Sequence, residues 1–171
     1  MIVPTPRPVA AGSGWARAVA SFGGCGFAPR APGTVGSLAA LPFGWAMLSS
    51  TPLLVAAIAV VTIGGTAAVQ RASGGADHGW IVIDEVAGQW ITLLGLAGLP
   101  GLARPHGAGL ALGLAAAFGL FRLLDITKPG PIGRIDRRHD ALGVMGDDVL
   151  AGIVGAILLL GVRAMLDWWT R

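Results

Sequence analysis

Residues 148–166 read DVLAGIVGAILLLGVRAML, and this stretch decides the class of fold. A helix that crosses a bilayer needs roughly 20 mostly apolar residues, with a range of about 17–25. Three more stretches meet or nearly meet that requirement, at about 52–69, 86–103 and 107–124. None of the four is charged except near its ends, and none has the polar outer face of a helix in a soluble bundle. We therefore predict an all-α, polytopic transmembrane bundle with four membrane-spanning helices.

A fifth apolar segment, at about 36–48, is short and interrupted by Pro42. Irregular backbone at membrane depth is tolerated only where protein surrounds it. We expect this segment to be a tilted half-span or a re-entrant element. The whole chain, 1–171, is predicted to form a single integral membrane domain, with residues 1–20 as a flexible N-terminal extension.

The composition excludes several other classes of protein. Apolar residues make up 54% of the chain, charged residues only 12%, and the mean hydropathy is +0.71. An intrinsically disordered chain would have low hydrophobicity and high charge, and a disulfide scaffold would need more than the single Cys25. The pI near 10.4 reflects 12 basic against 9 acidic residues without a basic run longer than Arg137-Arg138, so nucleic acid is not an expected partner.

The charges divide unequally between the two sides of the predicted membrane. If the 36–48 segment crosses the membrane or returns as one leg, nine of the twelve Lys and Arg residues lie on one side, in the N-terminal region, the 70–85 loop and the 122–147 loop. The positive-inside rule makes that side cytoplasmic. Eight of the nine carboxylates lie on the same side, and only Asp167 does not. This concentration of charge predicts a functional site at the cytoplasmic membrane face.

Acidic residues mark three of the predicted helix ends on that side. Asp84-Glu85 and Asp147-Asp148 precede spans, where one acid alone would serve as a cap or complement the helix dipole. Asp125 ends the 107–124 span, where its charge opposes the dipole, unless it pairs with Arg122 or Lys128. Clustered carboxylates without cysteine suit a hard divalent cation, so the five acids predict a Mg²⁺ site.

Basic and hydroxyl side chains on the same side could bind a phosphate group. Arg30, Lys128 and Arg137 could neutralise it, and a guanidinium suits bidentate phosphate contacts. Thr34 and Ser37 belong to a Pro-Gly-Thr-x-Gly-Ser stretch that could hold an anion at a helix start, or could simply turn the chain. For proton transfer we consider His78 or Asp136.

Several separated motifs occur in an order that resembles one known family, the phosphatidylglycerophosphatase A family of bacterial membrane lipid phosphatases. The matching stretches are 31–42 (APGTVGSLAALP), 77–79 (DHG), 84–85 (DE), 88–93 (GQWITL), 121–125 (FRLLD), 128–129 (KP), 131–132 (PI), 136–137 (DR), 143–145 (GVM) and 147–152 (DDVLAG). They extend from about residue 22 to 155 and so cover most of the chain.

The resemblance implies a Mg²⁺-dependent hydrolase of the bacterial cytoplasmic membrane. Such an enzyme removes the terminal phosphate of phosphatidylglycerol phosphate and yields phosphatidylglycerol, in phospholipid and cardiolipin synthesis. On this hypothesis the catalytic residues are Asp84, Glu85, Asp125, His78 and Asp136. Metal ligation falls to Asp84, Glu85, Asp125, Asp147 and Asp148, and phosphate binding to Arg30, Thr34, Ser37, Lys128 and Arg137.

Other functions remain open at this point. A small ion transporter would have ionisable residues along a pathway, whereas these spans are bare of charge at their centres. A scaffold that presents charged loops predicts no metal-dependent chemistry. A lipid phosphatase or phosphotransferase with another headgroup specificity is the nearest alternative among enzymes. The expected partners are the phospholipid substrate and the bilayer. The sequence does not determine whether the chain forms a homo-oligomer.

Overall fold

A computed structural model describes residues 14–97 and 108–169, without the side chains of Ala108 and Asp167. These residues form helices and no strand, which confirms the all-α prediction for the described part of the chain. In chain order the helices are α1 (Gly14–Ala20), a 3₁₀ turn (Cys25–Phe27), α2 (Pro32–Met47), α3 (Thr51–Ser73), α4 (Ile83–Leu94), α5 (Ala108–Thr127), α6 (Pro131–Asp136) and α7 (Ala141–Trp169).

Local sequence explains where several helices begin and end. Pro32 and Pro131 occupy the first turns of α2 and α6, where a missing N–H costs nothing. Gly74 ends α3 in the left-handed conformation, with φ of 71°, and its N–H donates to the carbonyl of Gln70. Asp140 caps α7, because its carboxylate accepts a hydrogen bond from the Gly143 N–H at 2.7 Å.

Among the described residues, three helices are long and apolar enough to cross a membrane. They are Thr51–Ser73, Gly109–Thr127 and Ala141–Leu166. These helices agree with three of the four predicted spans, at 52–69, 107–124 and 148–166. The chain is therefore a membrane protein by the length and composition of its helices.

The fourth predicted span, 86–103, is not confirmed. Helix α4 ends at Leu94 after 12 residues, about 18 Å at 1.5 Å per residue, which is too short to cross a hydrocarbon core of about 30 Å. Ten of the twelve residues are buried, because α2, α3, α5 and α7 all pack around α4. A helix enclosed by protein is apolar on every side, as a lipid-exposed span is, so hydropathy alone does not separate the two. Residues 98–107 lie outside the described part of the chain.

The short segment predicted at 36–48 belongs to a helix that starts earlier. Helix α2 has 16 residues and continues through Pro42. It packs against α4 through small residues, and the Trp90 indole N–H donates to the carbonyl of Ala40 at 2.8 Å. Gly44 is required at this contact, since a Cβ there would lie 2.8 Å from the Trp90 ring.

The first described helix lies within the segment predicted as a flexible extension. Ala16 and Ala20 of α1 are fully buried, and the Val82 N–H donates to the Ala20 carbonyl at 2.9 Å. Helix α1 also packs against α3. The predicted extension, residues 1–20, therefore includes a packed helix over its last seven residues, and residues 1–13 lie outside the described part of the chain.

Candidate active site

Three carboxylates from two helices meet at one end of the bundle. Asp84 and Glu85 lie in the first turn of α4, and Asp148 lies in the second turn of α7. One oxygen from each lies within 4.8 Å of the other two. Asp84 and Asp148 are only 8% and 3% exposed. We call these three side chains the carboxylate cluster.

Close packing of α4 on α7 brings the cluster together. A Cβ at Gly88 would lie 2.5 Å from the backbone oxygen of Asp148, so only glycine allows this approach. The same packing places the acidic turn of α4 beside Asp147-Asp148. Because α7 begins at Ala141, these two acids lie inside the helix rather than before it, and Asp140 provides the cap instead. Capping therefore does not explain the Asp147-Asp148 pair.

Burial disfavours the ionised form of the two acids on α4. It raises the pKa of Asp84 well above its ordinary value, and the neighbouring Glu85 raises it further. Burial also raises the pKa of Glu85. The hydrogen bond to Asp84 lowers this pKa in part, and the charges of Asp148 and Asp125 raise it again, so that it reaches about 7. Acids crowded in this way are stabilised in their charged form by a bound cation.

The donor set fits a hard divalent cation such as Mg²⁺. All three members of the cluster offer carboxylate oxygens, the ligand type that Mg²⁺ prefers. The Glu85 Oε2 atom is buried and has no hydrogen-bond partner among the described residues. A buried oxygen of this kind costs free energy unless it binds a donor or a cation.

Asp125 lies next to the cluster and forms an ion pair. Its carboxylate accepts a hydrogen bond from the Arg122 guanidinium, which also donates to the Thr34 hydroxyl at 3.4 Å. The alternative that Asp125 pairs with Arg122 is therefore confirmed. Asp125 is also close enough for its charge to raise the pKa of Glu85.

Lys128 joins two further acids. Its ammonium donates to Asp136 and, at 2.6 Å, to Asp147. Burial lowers the pKa of Lys128, but the two carboxylates outweigh that effect and hold the pKa above its ordinary range. The backbone of Lys128 has φ of 44°, a left-handed conformation rare for a residue other than glycine. Asp147, predicted as a metal ligand, is thus a partner of Lys128 with its second oxygen buried and unpaired among the described residues.

A polar cavity of about 850 Å³ opens beside the cluster. The first turn of α2 and the loop before α4 line one part of it, and α4, α5, α6 and α7, with the loop between α6 and α7, line the rest. Its charged and titratable lining residues are Asp77, Asp84, Glu85, Arg122, Asp125, Lys128, Asp136, Arg138, His139, Asp147 and Asp148. This mixture of carboxylates and cations is suited to a metal-bound phosphate.

Besides Thr34, four of the predicted site residues do not line this cavity. Arg30 and Arg137 are exposed on the surface. Ser37 is fully buried, and its hydroxyl donates to the Gly33 carbonyl within α2 at 2.8 Å. His78 is exposed, and its ring stacks on Trp80 with 6.1 Å between ring centroids. These positions give no support to the binding or proton-transfer roles predicted for the four.

Two arginines in the cavity lining were not predicted as site residues. Arg122 could have been found from its place three residues before Asp125 on one helix, a spacing at which side chains meet. Arg138, which pairs with Asp140 at 2.8 Å, lies in a loop where spacing gives no such signal. Thr34 contacts the site through Arg122 and does not itself line the cavity.

Helix α2 begins directly against the site. A Cβ at Gly33 would clash with the Glu85 Oε1 atom and lie 3.3 Å from an Arg122 nitrogen, so glycine at this position leaves room for the Glu85 carboxylate. Ala31, Pro32 and Gly33 line the cavity, so the positive end of the α2 dipole faces it. A helix N-terminus of this kind favours an anion such as phosphate.

Comparison with known proteins gives consistent matches. The family model described as phosphatidylglycerophosphatase A matches residues 18–163. A phosphatidylglycerophosphatase A of Escherichia coli (strain K12) is 39% identical over 142 residues, covering 80% of this chain and 76% of that protein. A protein of the same name from Haemophilus influenzae is 36% identical over 146 residues, covering 82% and 83% respectively.

A third relative has a different name. A putative phosphatidylinositol-3-phosphatase of Bacteroides thetaiotaomicron is 36% identical over 172 aligned positions, covering 94% of this chain and 96% of that protein. No solved structure matches the chain at a significant level.

Proposed function

The chain belongs to the phosphatidylglycerophosphatase A family, and from this premise we infer that it is a phosphatase that hydrolyses the phosphate monoester of phosphatidylglycerol phosphate. In this reaction water adds to phosphorus, and the bond from phosphorus to the glycerol oxygen breaks. The leaving oxygen takes up a proton, so the products are phosphatidylglycerol and inorganic phosphate.

The observation that best supports this function is the buried carboxylate cluster in a polar cavity, at the end of three helices that are long and apolar enough to cross a membrane. A phospholipid keeps its acyl chains in the bilayer and presents its headgroup at the interface. A site at the helix ends can therefore receive the phosphate while the tails stay in lipid. An ion pathway would instead need ionisable groups along the spans.

We propose that Asp84, Glu85 and Asp148 hold Mg²⁺, with Asp125 and Asp147 as neighbouring acids. Bound there, Mg²⁺ would polarise the phosphoryl oxygens and help to activate a water molecule. The fit rests on three oxygen donors and on the buried, unpaired Glu85 Oε2.

The cations of the cavity are assigned to the phosphate. Arg122 and Arg138 offer planar guanidinium donors, Lys128 offers an ammonium, and the first turn of α2 adds backbone dipoles. Lys128 would exchange a carboxylate for a phosphate oxygen when substrate binds. For the proton that reaches the leaving oxygen, Asp136 and His139 are the candidates in the cavity lining.

We propose a site at the cytoplasmic face of the bacterial inner membrane. Eight of the cationic side chains in the described part of the chain lie at or near the helix ends that surround the cavity, whereas Arg163 lies near the far end of α7. The eight are Arg17, Arg30, Arg71, Arg122, Lys128, Arg134, Arg137 and Arg138. The positive-inside rule favours this orientation.

A second headgroup is a specific alternative, because one relative over nearly the whole chain is named for phosphatidylinositol-3-phosphate. Both substrates are phosphate monoesters on a phospholipid headgroup, so the same cluster and cations would serve either one. The difference would lie in how the cavity accepts a linear glycerol or an inositol ring.

The test measures phosphate release by the detergent-purified protein in Mg²⁺ and in EDTA. The substrates are phosphatidylglycerol phosphate, phosphatidylinositol-3-phosphate, phosphatidic acid and a soluble phosphomonoester. Mg²⁺-dependent release that favours the first supports the proposal, and preference for the second supports the alternative. Asp148→Asn, which keeps the side-chain volume, should lose about 100-fold or more in kcat. No release by folded wild-type protein would overturn both functions.

A further inference from the structure

One buried side chain near the site has no role in the mechanism above. Gln89 of α4 is fully buried, and neither atom of its amide has a hydrogen-bond partner among the described residues. An amide buried without partners costs free energy, and buried polar side chains in proteins are nearly always hydrogen-bonded. Gln89 therefore requires a bound polar partner.

Helix geometry gives the direction in which the amide points. Gln89 follows Glu85 by four residues, so the two lie on the same face of α4. Side chains on a helix lean toward its N-terminus and cover the preceding turn. The Gln89 amide is thus directed toward the turn that holds Glu85, beneath the carboxylate cluster.

Two more buried atoms without partners belong to the same region. They are Glu85 Oε2 and Arg122 Nε, again among the described residues. Other atoms of the same two side chains, Glu85 Oε1 and Arg122 Nη1, are the ones that an added Cβ at Gly33 of α2 would contact. Glu85 and Arg122 therefore meet in one region at the start of α2, and the helix spacing directs Gln89 of α4 toward that region.

We infer that this region is a binding site for an ordered water molecule, and that Gln89 is a positioning residue that holds the Glu85 carboxylate through that water. The donors and acceptors match one water. Its two hydrogens can be donated to Glu85 Oε2 and Gln89 Oε1, and its oxygen can accept from Gln89 Nε2 and Arg122 Nε. A second cation is disfavoured there by the guanidinium of Arg122.

This inference rests on the proposed Mg²⁺ site, and its test separates positioning from packing. Gln89→Leu and Gln89→Met replace the amide with apolar groups of similar size. In EDTA the Tm of either variant should equal or exceed that of wild type, because no buried amide needs hydration. In Mg²⁺ the variants should lose kcat by about 10- to 100-fold at unchanged KM for phosphatidylglycerol phosphate, and the Mg²⁺-induced rise in Tm should shrink.

Thr92→Val is the matched control on the same helix. Thr92 is also fully buried, but its hydroxyl donates to the Gly88 carbonyl at 3.0 Å and faces α7 instead of the cluster. This variant should lower the Tm. It should leave unchanged the Mg²⁺ concentration that gives half-maximal phosphate release, which we call the Mg²⁺ midpoint.

Wild-type kcat and a wild-type Mg²⁺ midpoint in the Gln89 variants would overturn the inference. Failure of both variants to fold would also overturn it, since a side chain that only holds water is dispensable for folding. A wild-type protein with no response to Mg²⁺ would instead overturn the proposed metal site and this inference with it, so the two failures are distinguishable.

Discussion

Gly152 of α7 lies directly against Gly88 of α4. A Cβ at position 152 would be 3.0 Å from the Gly88 Cα and closer still to its carbonyl oxygen. Two backbones approach this closely only where both residues lack a side chain, a packing mode common between helices in lipid. Because Asp84 and Asp148 lie on the turns just beyond, this contact determines the spacing of the carboxylate cluster.

Gly152→Ala should therefore damage both stability and activity. Forcing one methyl group into a closed backbone contact costs about 1–3 kcal/mol and pushes α7 away from α4. We expect a lower Tm in detergent together with a weaker Mg²⁺ midpoint for phosphate release. Gly161→Ala on the same helix is the control, since a Cβ there meets nothing within 4 Å. Equal behaviour of the two variants would contradict the role of the contact.

The raised pKa values on α4 predict how metal-free stability changes with pH. The pKa of Glu85 rises from 4.5 to about 7 in the folded protein, and that of Asp84 rises as well. The folded state holds these protons more firmly than the unfolded state. This stabilisation is fully present below about pH 4.5 and is lost as the pH rises through 7.

In EDTA the Tm should accordingly fall between pH 5 and pH 8. With saturating Mg²⁺ the fall should be smaller or reversed, because the cation binds the deprotonated carboxylates. Glu85→Gln should flatten the profile in EDTA. A Tm in EDTA that rises over this range would show that burial does not protonate the cluster.

The sequence predicted the acids of the site better than its cations. Asp84, Glu85 and Asp148 were predictable because each lies within two turns of the start of an apolar helix, on the same side of the membrane. The arginines were not predictable in this way. Arg138 lines the cavity without having been predicted, whereas Arg30 and Arg137 were predicted to bind phosphate and lie on the surface. Long side chains in loops take directions that depend on packing across elements. The role of α4 was equally hidden, since a helix surrounded by protein has the same hydropathy as one surrounded by lipid.

Arg122 should be difficult to replace even by lysine. Its guanidinium reaches Asp125 and Thr34 at once, whereas an ammonium is a point charge without the same planar geometry. A hydrogen bond to a charged group contributes about 1.5–3 kcal/mol, so Arg122→Lys should lower kcat/KM by roughly 10- to 100-fold. The measurement is phosphate release over a range of lipid mole fractions in mixed micelles.

Thr34→Val provides the comparison for that variant. It removes only the 3.4 Å contact and should change kcat/KM by a few-fold at most. If Arg122→Lys kept full activity, the planar pairing with Asp125 would be unnecessary for the reaction.

Gly33→Ala, unlike Gly152→Ala, should reduce activity without reducing stability. The added methyl group meets the far end of the flexible Glu85 side chain, which can move aside without disturbing the helices. Alanine is also a better helix former than glycine, and at the second residue of α2 the gain is smaller than the roughly 0.8–1.0 kcal/mol found in a helix interior. The Tm should therefore stay level or rise, while displacement of Glu85 raises the Mg²⁺ midpoint by about 10-fold or more.

Gly119→Ala, where a Cβ meets nothing within 4 Å, should change neither quantity. A Gly33→Ala variant with a wild-type Mg²⁺ midpoint would mean that Glu85 is not a metal ligand.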